Sequence, residues 1–177
     1  NEDLQAQFRR IVCESPFAKD LDEYEFGHLV HIFKNQIELF REENIPLMIE
    51  ESELACRYAA IVSKMSVMFD GKERTPAQLA VYLKDADREK REAAFRARYQ
   101  LFMDNAPELD QLYDDLLKKR HQIALNAGFS NYRDFKHQEM GRFAYTPQDL
   151  YTFHEAVKAE VIPFCAELNE QRRKTLK

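Results

Sequence analysis

Apolar side chains recur along this chain at alternating spacings of four and three residues, which is the period of amphipathic α-helices. The stripe in the first half is Phe26, Val30, Phe33, Ile37 and Phe40. It predicts a helix that begins at Asp20 or Asp22 and ends near Asn44. A shorter helix over 3–13 precedes it, and another over about 47–69 follows it.

The longest stripe lies in the second half of the chain. Its members are Phe95, Tyr99, Phe102, Ala106, Leu109, Tyr113, Leu116, Arg120, Ile123 and Ala127. Pro107 interrupts it, and an interior proline usually kinks a helix at a cost of ~3 kcal/mol. Because the phase continues through Pro107, we predict one kinked helix over about 87–127, with a second helix beginning at Pro107 as the alternative. Roughly 40 residues at 1.5 Å each would extend about 60 Å, which favours an elongated lobe over an ordinary antiparallel bundle.

Capping signals place the shorter helices between these stripes. Asp70-Gly71 is predicted to end the helix over 47–69, because glycine tolerates the left-handed cap conformation. Thr75-Pro76-Ala77-Gln78 combines a Thr cap, a proline at the first helical position and a Gln that can reach back to the cap. It predicts a short helix over 77–84, after which Asp87 caps the long helix.

The region after the long helix contains two further helix starts. Gly128 ends the long helix, and Ser130 caps a short helix that runs to Met140. Thr146-Pro147 repeats the start signal. The last helix carries one apolar phase through Pro163, at Leu150, Phe153, Val157, Val161, Phe164 and Leu168.

Composition supports a helical fold class. The chain has 177 residues, 45% of them hydrophobic, and its four Gly and six Pro are too few for the turns of an all-β fold. We therefore predict an all-α, elongated multi-helix lobe, with 1–177 as a single helical domain or lobe and no strand of more than marginal quality. Since the chain begins at Asn1 rather than Met, we expect that it was cut, processed or excised from a longer protein.

Charge and cysteine usage exclude several classes of partner. The formal net charge is −5, whereas a general nucleic-acid binder usually carries a basic excess. No apolar run approaches the ~20 residues of a membrane span, so we expect neither nucleic-acid nor membrane partners. Cys13, Cys56 and Cys165 form no close pair, which suits three small core residues in a reducing cytoplasm.

Two helical segments match metal-binding motifs only in part. Glu25-Phe26-Gly27-His28, with His31 one turn on, is a single Glu-x-x-His, whereas di-iron bundles use two such motifs plus two further glutamates. A metal-binding bundle centred on His28 is therefore a third alternative. His154-Glu155-Ala156-Val157-Lys158 has a Lys where a His-Glu-x-x-His zinc helix needs its second His. We assign no catalytic residue and no metal ligand in this chain.

Two other groups of side chains could bind a ligand. One is an aromatic row that could line a slot, although such spacing is more often core: Phe95, Tyr99, Phe102 and Tyr113. The other is a cluster around the glycine-bearing break between two helices: Glu139, Arg142 and Tyr145. Capping and hydrogen bonding between helices explain the cluster equally well, so the substrate-binding residues are unknown from the sequence.

An ordered series of short motifs covers about 69–165. They are Phe69-Asp70-Gly71-Lys72, Thr75-Pro76-x-x-Leu79, Asp87 to Ala93, Leu109 to Asp115 with Arg120, Ala124 to Asp134, Met140 to Pro147, and Val161-Ile162-Pro163. Their order and spacing resemble the oligoendopeptidase F family of zinc metallopeptidases, which are relatives of thimet oligopeptidase and oligopeptidase A. Residues 1–68 resemble this family only in being helical.

The resemblance implies that this chain is an excised N-terminal part of a larger peptidase, the helical portion preceding its catalytic centre. The family's zinc ligands and catalytic Glu belong to a His-Glu-x-x-His helix and a later Glu, and neither has a counterpart here. The implied parent hydrolyses internal bonds of short peptides with a zinc-activated water, and these helices wall its substrate channel. This chain alone would be inactive and zinc-free, would pack against the catalytic portion of the same polypeptide and would self-associate when isolated. The alternative is a stand-alone helical protein-interaction or scaffold domain.

Overall fold

The computed structural model describes residues 2–175, with side chains described from residue 4 onward. Residue 1 and residues 176–177, the two ends of the predicted 1–177 domain, lie outside this range. The described helices are α1 (Glu2–Glu14), α2 (Glu23–Leu39), α3 (Asn44–Lys64), α4 (Pro76–Tyr82), α5 (Arg88–Asp104), α6 (Ala106–Asn126), α7 (Tyr132–Glu139), α8 (Pro147–Ala156) and α9 (Ile162–Thr175). The described strands are β1 (Val67–Phe69) and β2 (Lys72–Arg74). The predicted all-α fold class is confirmed.

Backbone contacts divide the chain into two compact units. Arg41–Gly128 forms the first, called the central unit here. The described residues up to Phe40 and from Phe129 onward form the second, called the terminal unit. The single domain over 1–177 stays a prediction.

The central unit is built on an antiparallel pair, α3 and α6. Asn44 at the start of α3 donates from Nδ2 to the carbonyl of Ile123 near the end of α6, at 3.0 Å. Arg57, further along α3, contacts Glu108 at the start of α6, at 2.9 Å. The core lies beyond Arg57, around the last turn of α3 and the first part of α6, where Ile61, Met65 and Leu112 are buried. Leu54, Val62, Leu101, Phe102 and Leu109 pack around them.

A β-hairpin replaces the end of the third predicted helix. α3 begins at Asn44 and ends at Lys64, so the prediction over 47–69 is wrong at both ends. Pro46 is accepted within the first turn, where its missing N–H has no helical partner. Asp70 and Gly71 have φ of 53° and 72°, which is the two-residue turn that Asp-Gly favours in hairpins. Asp-Gly therefore joins two strands here instead of ending a helix.

The predicted long helix over 87–127 is two helices separated by Asn105. Asn105 has φ −102° and ψ 3°, outside the helical range, and its Nδ2 donates to the carbonyl of Leu101 at 2.7 Å. Pro107 lies in the first turn of α6, where a missing N–H costs little. A second helix in the same phase, the alternative that the sequence left open, describes this break better than one kinked rod.

The terminal unit joins α1, α2 and α7. Phe8 of α1 meets Phe33 of α2 edge to face, with ring centroids 6.1 Å apart. The buried Asn35 of α2 donates from Nδ2 to the carbonyl of Gln138, 2.9 Å away near the end of α7. α2 ends at Leu39 rather than near Asn44, because Phe40 is already extended at φ −67° and ψ 129°.

The last helical run passes Pro163 through a π turn. Within Val157–Val161 the chain widens, and the N–H of Ile162 donates to the carbonyl of Val157 five residues back. A π turn shifts the hydrogen-bond register by one residue, which accommodates a proline that has no N–H to donate. None of the described side chains from Pro147 to Thr175 is buried.

The cysteines are free, as expected for a chain without a disulfide framework. Cys13 is half-buried, whereas Cys56 and Cys165 are exposed. Their assignment as core residues is therefore wrong for Cys56 and Cys165, since both lie on helix faces that residues 2–175 leave exposed.

Within residues 2–175, none of the helices combines the length and the apolar composition needed to cross a bilayer.

Candidate functional site

The histidines of α2 are not arranged as a metal site. His28 and His31 are exposed, and the ring of His31 stacks on Phe143 with centroids 4.0 Å apart and planes 13° apart. Across residues 2–175, no group of three or more His, Cys, Asp or Glu side chains is placed to hold a metal ion. His154, Glu155 and Lys158 are exposed as well, and Lys158 pairs with Glu155 at 3.6 Å.

The aromatic row on α5 and α6 is largely exposed. Phe95, Tyr99 and Tyr113 are 50%, 48% and 58% accessible, so their assignment to the core is wrong. The reason is that α5 turns the fully buried Ala94 toward the core, and α6 turns Leu112 and Leu116 toward it instead of Tyr113. Phe95 and Tyr99 contact each other with centroids 4.4 Å apart. These rings form a surface that nothing in the described chain covers.

A cleft into which several cationic and aromatic side chains converge lies between α7 and α8, within the terminal unit. It has a volume of about 370 Å³ and is called the α7–α8 groove here. Its lining is Tyr132, Arg133, Lys136, His137, Met140, Arg142, Pro147, Leu150, Tyr151 and His154. The lining mixes cationic, aromatic and aliphatic side chains and contains no carboxylate.

Local capping fixes the two helices of the groove. The Asn131 side chain accepts from the N–H of Asp134 at the start of α7. Thr146 and Asp149 form a reciprocal capping box at the start of α8. The backbone N–H and hydroxyl of Thr146 donate to Asp149 and hold the pKa of that carboxyl below its usual range. Each cap depends on a short sequence motif. The local sequence therefore fixes the residues at which α7 and α8, the two helices that line the groove, begin.

Two of the three permanent cations in the lining are already neutralised. Arg133 donates to Asp134 at 2.8 Å, which raises the pKa of Arg133 and lowers that of Asp134. Lys136 pairs with Glu139. The guanidinium of Arg142 makes no hydrogen bond or ion pair with any described residue. The groove therefore retains one uncompensated positive charge.

The sequence cluster Glu139, Arg142 and Tyr145 has three different roles. Glu139 pairs with Lys136, and the carbonyl of Tyr145 accepts from Nε2 of His137 at 2.8 Å. Since a carbonyl only accepts, Nε2 of His137 must carry a hydrogen. Arg142 alone of the cluster lines the groove.

Sequence reasoning missed the other polar groups of the groove. They are Tyr132, Arg133, Lys136, His137 and Tyr151, whereas His154 was considered only as part of an incomplete zinc motif. Their spacing was a signal that they share a helix face, because residues three and four apart are neighbours on a helix surface. Residues 133, 136 and 137 are spaced in this way on α7, and residues 151 and 154 on α8. The sequence alone does not show that these two faces meet.

Comparison with known proteins gives consistent matches. A family model described as peptidase family M3 matches residues 81–177. The chain is similar to a 3.1 Å X-ray structure assigned as oligoendopeptidase F, with a TM-score of 0.92 and 31% identity over 97% of this chain and 30% of that one. No curated protein matches it.

Two further solved structures agree. PZ peptidase A with an inhibitor gives a TM-score of 0.91 and 28% identity over 97% of this chain and 31% of that one. A protein assigned as oligoendopeptidase F from Bacillus anthracis str. Ames gives a TM-score of 0.90 and 26% identity. The match covers 96% of this chain and 31% of that one. This chain thus spans about 30% of the length of these solved relatives.

Proposed function

Because this chain belongs to peptidase family M3, we propose that it is the non-catalytic helical portion of a zinc-dependent oligoendopeptidase. In this proposal its helices wall the channel through which short peptides reach the reacting centre. The observation that supports it most is the similarity of 97% of the chain to a structure assigned as oligoendopeptidase F, of which it matches 30%. The parent polypeptide, as we call the proposed whole, hydrolyses internal bonds of short peptides in the cytoplasm.

The zinc of the parent polypeptide fits no set of residues described here. A catalytic zinc needs three protein ligands of the His, Cys, Asp or Glu type. No such group occurs within residues 2–175, so we assign no zinc ligand and no reaction step to them. Their proposed contribution is to shape and cover the peptide path.

The exposed apolar faces support the proposal that another part of the same polypeptide packs against this chain. Phe153 and Phe164 are 63% and 58% exposed on the last helical run. Large apolar faces left open in this way usually mark an interface. We propose that the catalytic portion of the same polypeptide covers them. In the isolated chain the same faces would pair with a second copy and cause self-association.

We predict that this chain, produced alone, does not hydrolyse peptides. An internally quenched oligopeptide, incubated with the chain and added zinc, should release no fluorescence above a protein-free blank. The physical reason is that the described residues supply no ligand set for the ion.

A zinc peptidase in the same buffer serves as the positive control. Light scattering on the same sample should show self-association if the open faces are an interface. Turnover by the chain that requires zinc and stops with a chelator would contradict the proposal.

A further inference from the structure

We propose that the α7–α8 groove binds a carboxylate of a short peptide, with Arg142 as its principal partner. The identification of the ligand as a peptide rests on the proposed function. The carboxylate could be the C-terminus or an acidic side chain, and both present the same planar pair of oxygens.

Charge is the first argument. The groove lining contains no carboxylate, and two of its cations, Arg133 and Lys136, pair with Asp134 and Glu139 outside the lining. Arg142 has no such partner among the described residues. A guanidinium presents parallel N–H groups that match a carboxylate in a two-point contact. A carboxylate that enters the groove would therefore give Arg142 the anionic partner that Arg133 and Lys136 already have.

The position of Arg142 is the second argument. Gly141 before it has φ 65°, a left-handed conformation that other residues adopt only with strain. The N–H of Arg142 donates to the carbonyl of His137 at 3.4 Å, which folds this turn back onto the end of α7. Arg142 is half-buried rather than fully solvated, so its charge is less screened than that of a surface arginine. The turn thus holds a cation at the edge of a cleft.

The shape and remaining lining provide the third argument. A volume of about 370 Å³ lies at the small end of ordinary ligand clefts, enough for one or two amino-acid side chains. Met140, Pro147 and Leu150 supply apolar wall beside the charge. The hydroxyl oxygen of Tyr151 accepts from Arg133, so its own hydrogen stays available to donate to a ligand. The groove therefore suits a carboxylate next to an apolar side chain.

The test measures peptide binding to the chain by titration calorimetry. The probes are acetyl-Ala-Leu-Phe with a free C-terminus and the same peptide with a C-terminal amide. We expect the free acid to bind about tenfold more tightly or better, as a charge-assisted contact to Arg142 requires. Arg142→Gln should remove that difference.

The matched control is Arg172→Gln, which removes an exposed arginine from α9, outside the groove, and should leave the difference unchanged. Equal binding of acid and amide by the unaltered chain would overturn the inference, as would an undiminished preference in Arg142→Gln. Circular dichroism of each variant shows whether the fold is retained. A second variant, Arg142→Lys, keeps the charge without the two-point geometry and should restore part of the preference.

A third probe separates the two sources of the carboxylate. Acetyl-Ala-Leu-Glu amide carries an acidic side chain and no free C-terminus. If it binds as the free acid does, the groove accepts side-chain carboxylates; if only the free acid binds, the groove reads the C-terminus. Both outcomes support a carboxylate site.

The failure of this inference is distinguishable from failure of the proposed function. In the parent polypeptide, Arg142→Gln should raise KM for peptides with a matching carboxylate and leave kcat nearly unchanged. Peptide hydrolysis with an unaltered KM would count against the groove alone. Carboxylate binding without any peptide hydrolysis would count against the proposed function alone.

Discussion

Replacing Leu112 with alanine is expected to lower the free energy of unfolding of the central unit by about 2–5 kcal/mol. Leu112 is 3% exposed and belongs to the same buried cluster as Ile61 and Met65, where α6 packs against α3. Removing its side chain loses the transfer free energy of the buried methyl groups and leaves a cavity that the antiparallel pair closes only in part. Urea unfolding followed by circular dichroism measures the change. The expected loss is a large fraction of the total, because the free energy of unfolding of a domain is only about 5–15 kcal/mol.

The matched control is Leu117→Ala, the same substitution five residues later on α6. Leu117 is 46% exposed, so the change should be within about 1 kcal/mol. Similar losses at both positions would contradict the assignment of the core to the α3–α6 contact.

Replacing Asn44 with aspartate is expected to destabilise the central unit by about 3 kcal/mol at neutral pH. Asn44 is 3% exposed, donates to the carbonyl of Ile123 and accepts from Nδ2 of Asn126 at 2.8 Å. The introduced carboxylate keeps the second contact but places an oxygen against the Ile123 carbonyl, where a donor is required. Two acceptors then face each other without water.

The loss should depend on pH in a known direction. Burial and the facing carbonyl raise the pKa of the introduced carboxyl above its unfolded value of about 3.9. The destabilisation relative to the unaltered chain is therefore small below that value, where a protonated carboxyl can donate to the carbonyl. It grows as the pH rises through the folded pKa.

Asn169→Asp provides the control, because Asn169 is exposed on α9. It should change stability little at any pH. Comparing each variant with the unaltered chain at the same pH removes the titration of other groups. A pH-independent loss in Asn44→Asp would show that the contact with the Ile123 carbonyl is not the cause.

Helix starts that carry a Thr-Pro signal or an Asp cap were predictable because these signals are local, whereas α7 is capped by Asn131 rather than by the predicted Ser130. The capping boxes at Thr75 and Thr146 and the cap at Asp87 occur where the sequence places them. Each depends on side chains and backbone groups within four residues, so tertiary packing has little influence on it. The all-α class follows from the same local patterns, repeated along the chain.

The errors arose where packing chooses between two local solutions. Asp70-Gly71 suits both a helix cap and a tight hairpin turn, and contact between Phe69 and Tyr82, with centroids 5.0 Å apart, accompanies the hairpin. The stripe around Pro107 fits one kinked helix or two helices in phase, and only the conformation of Asn105 distinguishes them. Periodicity identifies an apolar face but not what covers it, so the exposure of Phe95 and Tyr99 was not predictable.

The family was predictable from motifs although the candidate groove was not. The resemblance to oligoendopeptidase F, read from motifs over about 69–165, is confirmed by the family match over 81–177 and by the structural similarity over 97% of the chain. That similarity extends to the first 68 residues, which resemble the family in sequence only by being helical. The groove required knowing that α7 and α8 face each other and that Arg142 is left without an anion.

The most direct test of the central claim is mass spectrometry of the products that the parent polypeptide forms from an unstructured oligopeptide and from a folded protein. We expect cleavage at internal bonds of the oligopeptide, loss of cleavage with a zinc chelator, and no cleavage of the folded protein. No hydrolysis of the oligopeptide, or equally rapid cleavage of the folded protein, would contradict the assignment of this chain to the wall of a peptide channel.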